Sequence, residues 1–194
     1  MQSIQTVSEN TIYVGASDRR LAKFENLFPI PRGVSYNAYV ILDEKTALLD
    51  TADASVGAQF LENVAAALDG RKLDYLIVDH MEPDHAAMIE AVLVRWPDLR
   101  LVVNAKALPM LKMYFPTDGA AIDDALVVKE GDTLDLGKHK LTFVMAPMVH
   151  WPEVMMTFDT TTGTLFSADA FGTFGALEGA LFADEVDFAG KWLD

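Results

Sequence analysis

No cysteine occurs among the 194 residues of this chain. That excludes a disulfide, a thiolate zinc site, an iron–sulfur cluster or a cysteine-ligated iron centre within it. Long apolar runs are also missing. None approaches the roughly 20 residues that cross a bilayer. Met1-Gln2-Ser3-Ile4-Gln5 lacks the basic and apolar regions of a signal peptide. A cytoplasmic protein without membrane association is expected. Positive charge is scarce, with 15 Lys and Arg against 29 Asp and Glu, a net charge of −14. Nucleic-acid binders need basic patches that displace counterions, so a polyanionic partner is excluded. There is no internal repeat, low-complexity tract or Gly/Ser linker.

What remains suits one globular domain over residues 1–194. Apolar residues make up 51% of the chain, enough for a substantial core. Strand-like runs fall at residues 11–14, 37–42, 46–50, 73–79, 101–104, 126–128, 140–146, 154–159 and 164–167. Helical spacing predicts helices over 56–68, 86–96 and 105–115. Tyr39-Val40-Ile41-Leu42, Asp43-Glu44-Lys45 and Ala47-Leu48-Leu49 read as a β-hairpin. Hairpins, then strand–helix units, then more hairpins point to an α/β protein with mixed sheets. The tail from Gly179 to Asp194 carries Asp184, Glu185 and Asp187 and reads as a solvated face or loop.

Residues 80–85 read His-Met-Glu-Pro-Asp-His. His80, Glu82, Asp84 and His85 can all bind a metal. They follow the apolar run Leu73–Val78, so they project from the rim of a sheet. Pro83 fixes its own φ and holds Glu82 extended, which lets the ligands on its two sides aim differently. His150 follows the run 140–146, and Asp169 follows Leu165-Phe166-Ser167. Both therefore sit past the end of a strand, like the first group. Six such ligands are too many for one tetrahedral ion and suit two. Imidazoles with several carboxylates and no sulfur suit iron, manganese or zinc. Carboxylates are hard, anionic and able to bridge, which favours redox iron over hydrolytic zinc.

The pattern His80-x-Glu82-x-Asp84-His85, then His150, then Asp169 resembles the metallo-β-lactamase superfamily. With Glu82 where the hydrolases carry histidine, it resembles the flavodiiron proteins, which reduce dioxygen or nitric oxide at a diiron site. Arg32-Gly33-Val34-Ser35-Tyr36-Asn37-Ala38-Tyr39, Ala47-Leu48-Leu49-Asp50-Thr51 and Ser167–Leu177 agree with it. The resemblance implies an αββα sandwich, here its N-terminal part and incomplete at the C-terminal end. It implies that His80, Glu82 and His150 hold one iron, Asp84 and His85 the second, and that Asp169 bridges them. Asp50 becomes an organiser of the metal loops. Trp151, Phe171 and Phe174 become an apolar wall controlling gas access.

The family's second iron takes a further histidine from downstream, which this chain does not contain. Its fourth histidine, His139, lies in Gly137-Lys138-His139-Lys140 and reads as a surface residue of a hairpin turn. No flavodoxin-like phosphate loop is present. FMN is therefore expected from a flavodoxin domain outside this chain, in a neighbouring subunit of a head-to-tail homodimer or higher oligomer. The resemblance also implies an electron donor such as rubredoxin. Two other readings stand beside the reductase: a diiron oxygen sensor without a flavin domain, and a zinc-dependent hydrolase of the broader superfamily.

Overall fold

The computed structural model describes residues 3–185, so Asp187 lies outside the described residues. They fall into two compact units. One comprises Met1–Ala16 and Tyr36–Ala170, the other Ser17–Ser35 and Phe171–Asp194.

The first unit holds two sheets. Strands β1 (Gln5–Ser8), β2 (Thr11–Tyr13), β3 (Tyr39–Leu42), β4 (Thr46–Leu49), β5 (Tyr75–Ile77), β6 (Arg100–Asn104) and β7 (Leu126–Val128) lie side by side in that order. Pairings from β1 to β4 are antiparallel, and those from β4 to β7 parallel. Strands β8 (Thr133–Asp135), β9 (Lys140–Met145), β10 (Met155–Asp159) and β11 (Thr164–Phe166) form an antiparallel four-stranded sheet. The expected mixed sheets are present. Strands β1 and β8 are too polar to have stood out in the sequence.

The register explains the core. Leu49, Ile77 and Val102 are lateral neighbours across β4, β5 and β6. They pack with Leu141, Phe143, Met155 and Phe166 of the second sheet. Successive side chains alternate faces, so Leu48, Leu76 and Leu101 point the other way, and these too are fully buried. Helices α1 (Gly57–Leu68), α2 (Pro83–Ala86), α3 (Ile89–Arg95), α4 (Ala107–Tyr114) and α5 (Gly119–Asp123) connect the strands. Their buried residues include Phe60, Val64, Ile89, Val92 and Leu111. Parallel strands covered on both faces read as unbroken apolar runs, as Leu76-Ile77-Val78 does.

One helix differs from its prediction. The run 86–96 forms two helices, starting earlier at Pro83 and interrupted at Met88. The Met88 amide donates to Thr51 Oγ1 at 3.3 Å, so it does not continue the helix formed by α2.

In the second unit, Lys23–Phe24 and Phe28–Pro29 form a small hairpin. The Ala176 amide donates to Arg32 O at 3.0 Å and the Leu177 amide to Ser17 Oγ at 3.1 Å.

His139 is fully buried, which corrects its reading as a surface residue. Its Nδ1 lies 2.8 Å from Asp159 Oδ2, and its backbone N–H donates to Asp43 Oδ2 at 2.6 Å. The turn is docked rather than free. The Lys45 amide donates to Leu136 O, and Gly137 has φ +124 with no room for a Cβ beside Glu44. Removing one partner of a buried polar pair costs about 1–3 kcal/mol. Urea unfolding of H139A is expected to show a loss of that size, against roughly 0.5 kcal/mol for a surface substitution. Burial would raise the Asp159 pKa, but the Thr162 hydroxyl, His139 and the Thr161 amide together hold it below its ordinary 3.8. A depressed folded value gives stability that is complete above the unfolded pKa and lost as pH falls through the folded one. D159N should therefore flatten the fall in stability below about pH 4, read by urea midpoints across that range.

Candidate metal centre

Parallel strands deliver their C-terminal ends to one edge of a sheet, where ligands of open α/β sheets collect. Asp50 follows β4, residues 79–85 follow β5, and Asn104 ends β6. In the second sheet, His150 lies between β9 and β10, and Asp169 follows β11. The Met155 amide donates to Asp79 O at 3.0 Å and ties the second sheet to the ligand loop of the first. Within that loop, the His85 and Ala86 amides both donate to Glu82 O. The His85 carbonyl accepts from the Thr51 amide at 2.8 Å and the Thr51 hydroxyl at 2.6 Å. The ligand loop is thus pinned to the end of β4 as well.

Two donor clusters result. His80, Glu82, His150 and Asp169 form one, and Asp84, His85 and Asp169 the other. In the first, His80 Nε2 is 3.1 Å from Glu82 Oε2 and 3.3 Å from Asp169 Oδ2. His150 Nε2 is 2.6 Å and 3.2 Å from the same two oxygens. In the second, His85 Nε2 is 2.8 Å from Asp169 Oδ1 and 3.5 Å from Asp84 Oδ2. Metal bonds of about 2.0–2.2 Å place neighbouring donors roughly 3 Å apart. Both clusters suit that spacing. Asp169 divides itself between them, Oδ2 toward the first and Oδ1 toward the second.

Behind the donors stand further carboxylates. His80 Nδ1 lies 2.8 Å from Glu153 Oε1, and His85 Nδ1 lies 2.9 Å from Asp50 Oδ2. Asp50 Oδ1 accepts from the Asp79 amide at 2.7 Å, and Asp79 Oδ1 accepts from Thr157 at 2.8 Å. Each anchored imidazole offers Nδ1 to a carboxylate and turns Nε2 to the cluster, the geometry of carboxylate–histidine–metal arrangements.

The surplus of carboxylate calls for a cation. Burial opposes charge on His80, yet Asp169, Glu153 and Glu82 outweigh it and hold its pKa up at about 11. Burial opposes charge on His85 as well, yet Asp169 and Asp50 outweigh it and hold its pKa well above its ordinary value. Burial would raise Asp169, but His80 and His85 keep it far below its usual range. Asp84 is pushed up to about 6, chiefly by burial and against the pull of His85. Its Oδ1 is buried without a hydrogen-bond partner. The protein groups alone balance charge by keeping protons on imidazole, and a bound dication would displace those protons. Hard carboxylates with imidazoles, at this spacing and with an orphaned oxygen, fit two transition-metal ions.

All six predicted ligands are brought together. Asp50 stands behind His85, and Trp151 sets its ring edge-on to His80 with centroids 5.3 Å apart. Phe171 and Phe174 belong to the second unit. Phe171 is 83% exposed, and Phe174 packs 5.1 Å from Phe24. Asp79 is buried and held between Asp50 and Thr157. Sequence reasoning missed Glu153. The available signal was an acid at the mouth of an apolar strand, three positions after a candidate ligand.

Comparison with known proteins places the chain in a family. The family described as "ODP family beta lactamase" matches residues 34–191. The anaerobic nitric oxide reductase flavorubredoxin of Klebsiella pneumoniae is 38% identical over 183 residues, 93% of this chain and 37% of that protein. This chain therefore spans little more than a third of that relative's length. Among solved structures, the rubredoxin oxygen:oxidoreductase of Desulfovibrio gigas has a TM-score of 0.88 at 31% identity. That match covers 95% of this chain and 45% of the other. The flavodiiron protein of Giardia intestinalis also has a TM-score of 0.88, at 28% identity, covering 96% of this chain and 44% of the other. With its mixed α/β sandwich and its match over residues 34–191, the chain belongs to the ODP beta-lactamase family and is a flavodiiron-type domain.

Proposed function

We propose that this chain holds the diiron centre of an oxidoreductase that reduces dioxygen to water, nitric oxide to nitrous oxide, or both. The observation that carries the reading is the division of Asp169 between the two donor clusters. His80, Glu82 and His150 would hold the first iron, and Asp84 and His85 the second, with Asp169 shared. When bound, the irons supply the electrons and the gas-binding positions.

The chain's own groups do the rest. Asp169 keeps the two positions at a fixed separation. Glu153 and Asp50 hold His80 and His85 by Nδ1, so that Nε2 stays aimed. Trp151 lies edge-on to both His80 and His150 and keeps water from that side of the first cluster. Glu82 supplies an anionic oxygen where a zinc hydrolase would carry imidazole, which favours the ferric state over hydrolysis.

Electrons come, in this proposal, from FMN of a flavodoxin domain in a neighbouring subunit, with a donor such as rubredoxin behind it. The names of the Klebsiella flavorubredoxin and the Desulfovibrio rubredoxin oxygen:oxidoreductase support that donor class. A cytoplasmic protein is proposed. Among the described residues no helix is long and apolar enough to cross a membrane.

Anaerobic loading with ferrous ion should give two irons per chain. The loaded protein with chemically reduced FMN should consume dioxygen or nitric oxide. Preferential uptake of two zinc ions with lactam or ester hydrolysis would overturn the proposal. D169A should weaken both metal positions, and D84A mainly the second. Each loss should exceed the roughly 10–100-fold typical of removing an outer partner, measured by chelator competition. A metal held at 100 times its dissociation constant stabilises by about 2.7 kcal/mol. Stripping the ions should lower the melting temperature, and adding ferrous ion back should restore it.

A further inference from the structure

Glu153 is the strongest feature that the six ligands leave unexplained. It is 1% exposed, on the loop between β9 and β10. Its Oε1 accepts from the Met81 amide at 3.0 Å and lies 2.8 Å from His80 Nδ1. Its Oε2 is buried with no hydrogen-bond partner. A carboxylate so enclosed is costly unless its charge is answered close by. The answering group is His80, the one ligand of the first cluster that is fully buried.

The loop gives this pair a second meaning. His150, Trp151 and Glu153 sit on one four-residue stretch, His150–Glu153. It therefore supplies one donor directly, the wall beside it, and the anchor of another donor. The stretch is held from the first sheet. Asn104 Nδ2 donates to Glu153 O, while Asn104 Oδ1 caps α4 through the Lys106 and Ala107 amides. Lys106 Nζ donates to Pro152 O at 3.2 Å. Glu153 thus reaches the cluster from a backbone held at its own carbonyl and at that of Pro152, and its carboxylate is placed rather than adaptable.

We infer that Glu153 is a positioning residue for the first metal: through His80 it sets that metal's affinity and stabilises its oxidised state. A carboxylate on Nδ1 makes the imidazole a stronger donor at Nε2. A stronger, more anionic donor set favours the higher-charged ion. Asp50 plays the matching part for His85, so each metal has its own buried carboxylate one imidazole away.

The inference rests on the two-metal reading of the same site, and E153Q tests it separately. Glutamine keeps the volume and an oxygen for the Met81 and His80 hydrogens but removes the charge. In the full protein loaded with ferrous ion, the first site of E153Q should bind about 10–100-fold more weakly in chelator competition. The reduction potential of the pair, read by a redox titration followed by electron paramagnetic resonance, should move up, while the second site keeps its affinity. E153D, which retains the charge at a shorter reach, should recover part of the shift. D50N should move the second site and spare the first. If the wild type takes up no pair of metals, the two-metal reading fails. If the wild type takes up the pair and E153Q matches it in affinity and potential, the role assigned to Glu153 is wrong. A fall in melting temperature alone, with both metal readouts unchanged, would likewise reduce Glu153 to a packing residue.

Discussion

The sharing of one carboxylate between two donor clusters is the constraint on which this structure turns. Asp169 is one-third exposed and follows β11 of the second sheet, while four of the other five donors follow β5 of the first. The site exists only while the two sheets keep their relative position. That position comes from Leu49, Ile77 and Val102 packed on Phe143, Met155 and Phe166. Each such side chain contributes roughly 1.5–3 kcal/mol when fully buried. The same contacts offset the cost of gathering acidic groups at one rim. The bond from the Met155 amide to Asp79 O joins the sheets next to the ligands themselves.

The electrostatics follow from that gathering. Asp50, Asp79, Glu82, Asp84, Glu153 and Asp169 surround His80, His85 and His150 at the same edge. Carboxylates outnumber imidazoles, and most of them are buried. A cation is the natural complement, and the carboxylates divide into two sets around Asp169 that could each hold one. Orientation is settled before any ion arrives, since His80 and His85 are each held from behind by an acid. In the proposed function, such preparation would let bound irons change charge without rearranging their donors.

Much of this was legible in the sequence, for identifiable reasons. The hairpin of β3 and β4 and the buried strands β5, β6, β9 and β10 announce themselves by β-branched and apolar runs. The candidate ligands were visible because six residues carry four donors and because His150 and Asp169 recur at the same kind of strand end. His139 was misread because a Gly-Lys-His-Lys turn looks solvated. What buries it is the distant turn at Asp43, a contact between segments far apart in the chain. Glu153 escaped because an acid near a strand start is unremarkable in so acidic a chain. Only the fold shows that it backs His80. The split of the predicted helix at Met88 likewise depends on Thr51, well removed in sequence.

The central claim is that two irons share Asp169. The most direct measurement is electron paramagnetic resonance of the iron-loaded protein reduced by one electron. The account predicts a mixed-valence signal from two exchange-coupled ions, lost when Asp169 is replaced by alanine. A spectrum of isolated mononuclear iron in the intact protein, or a coupled signal that survives D169A unchanged, would contradict it.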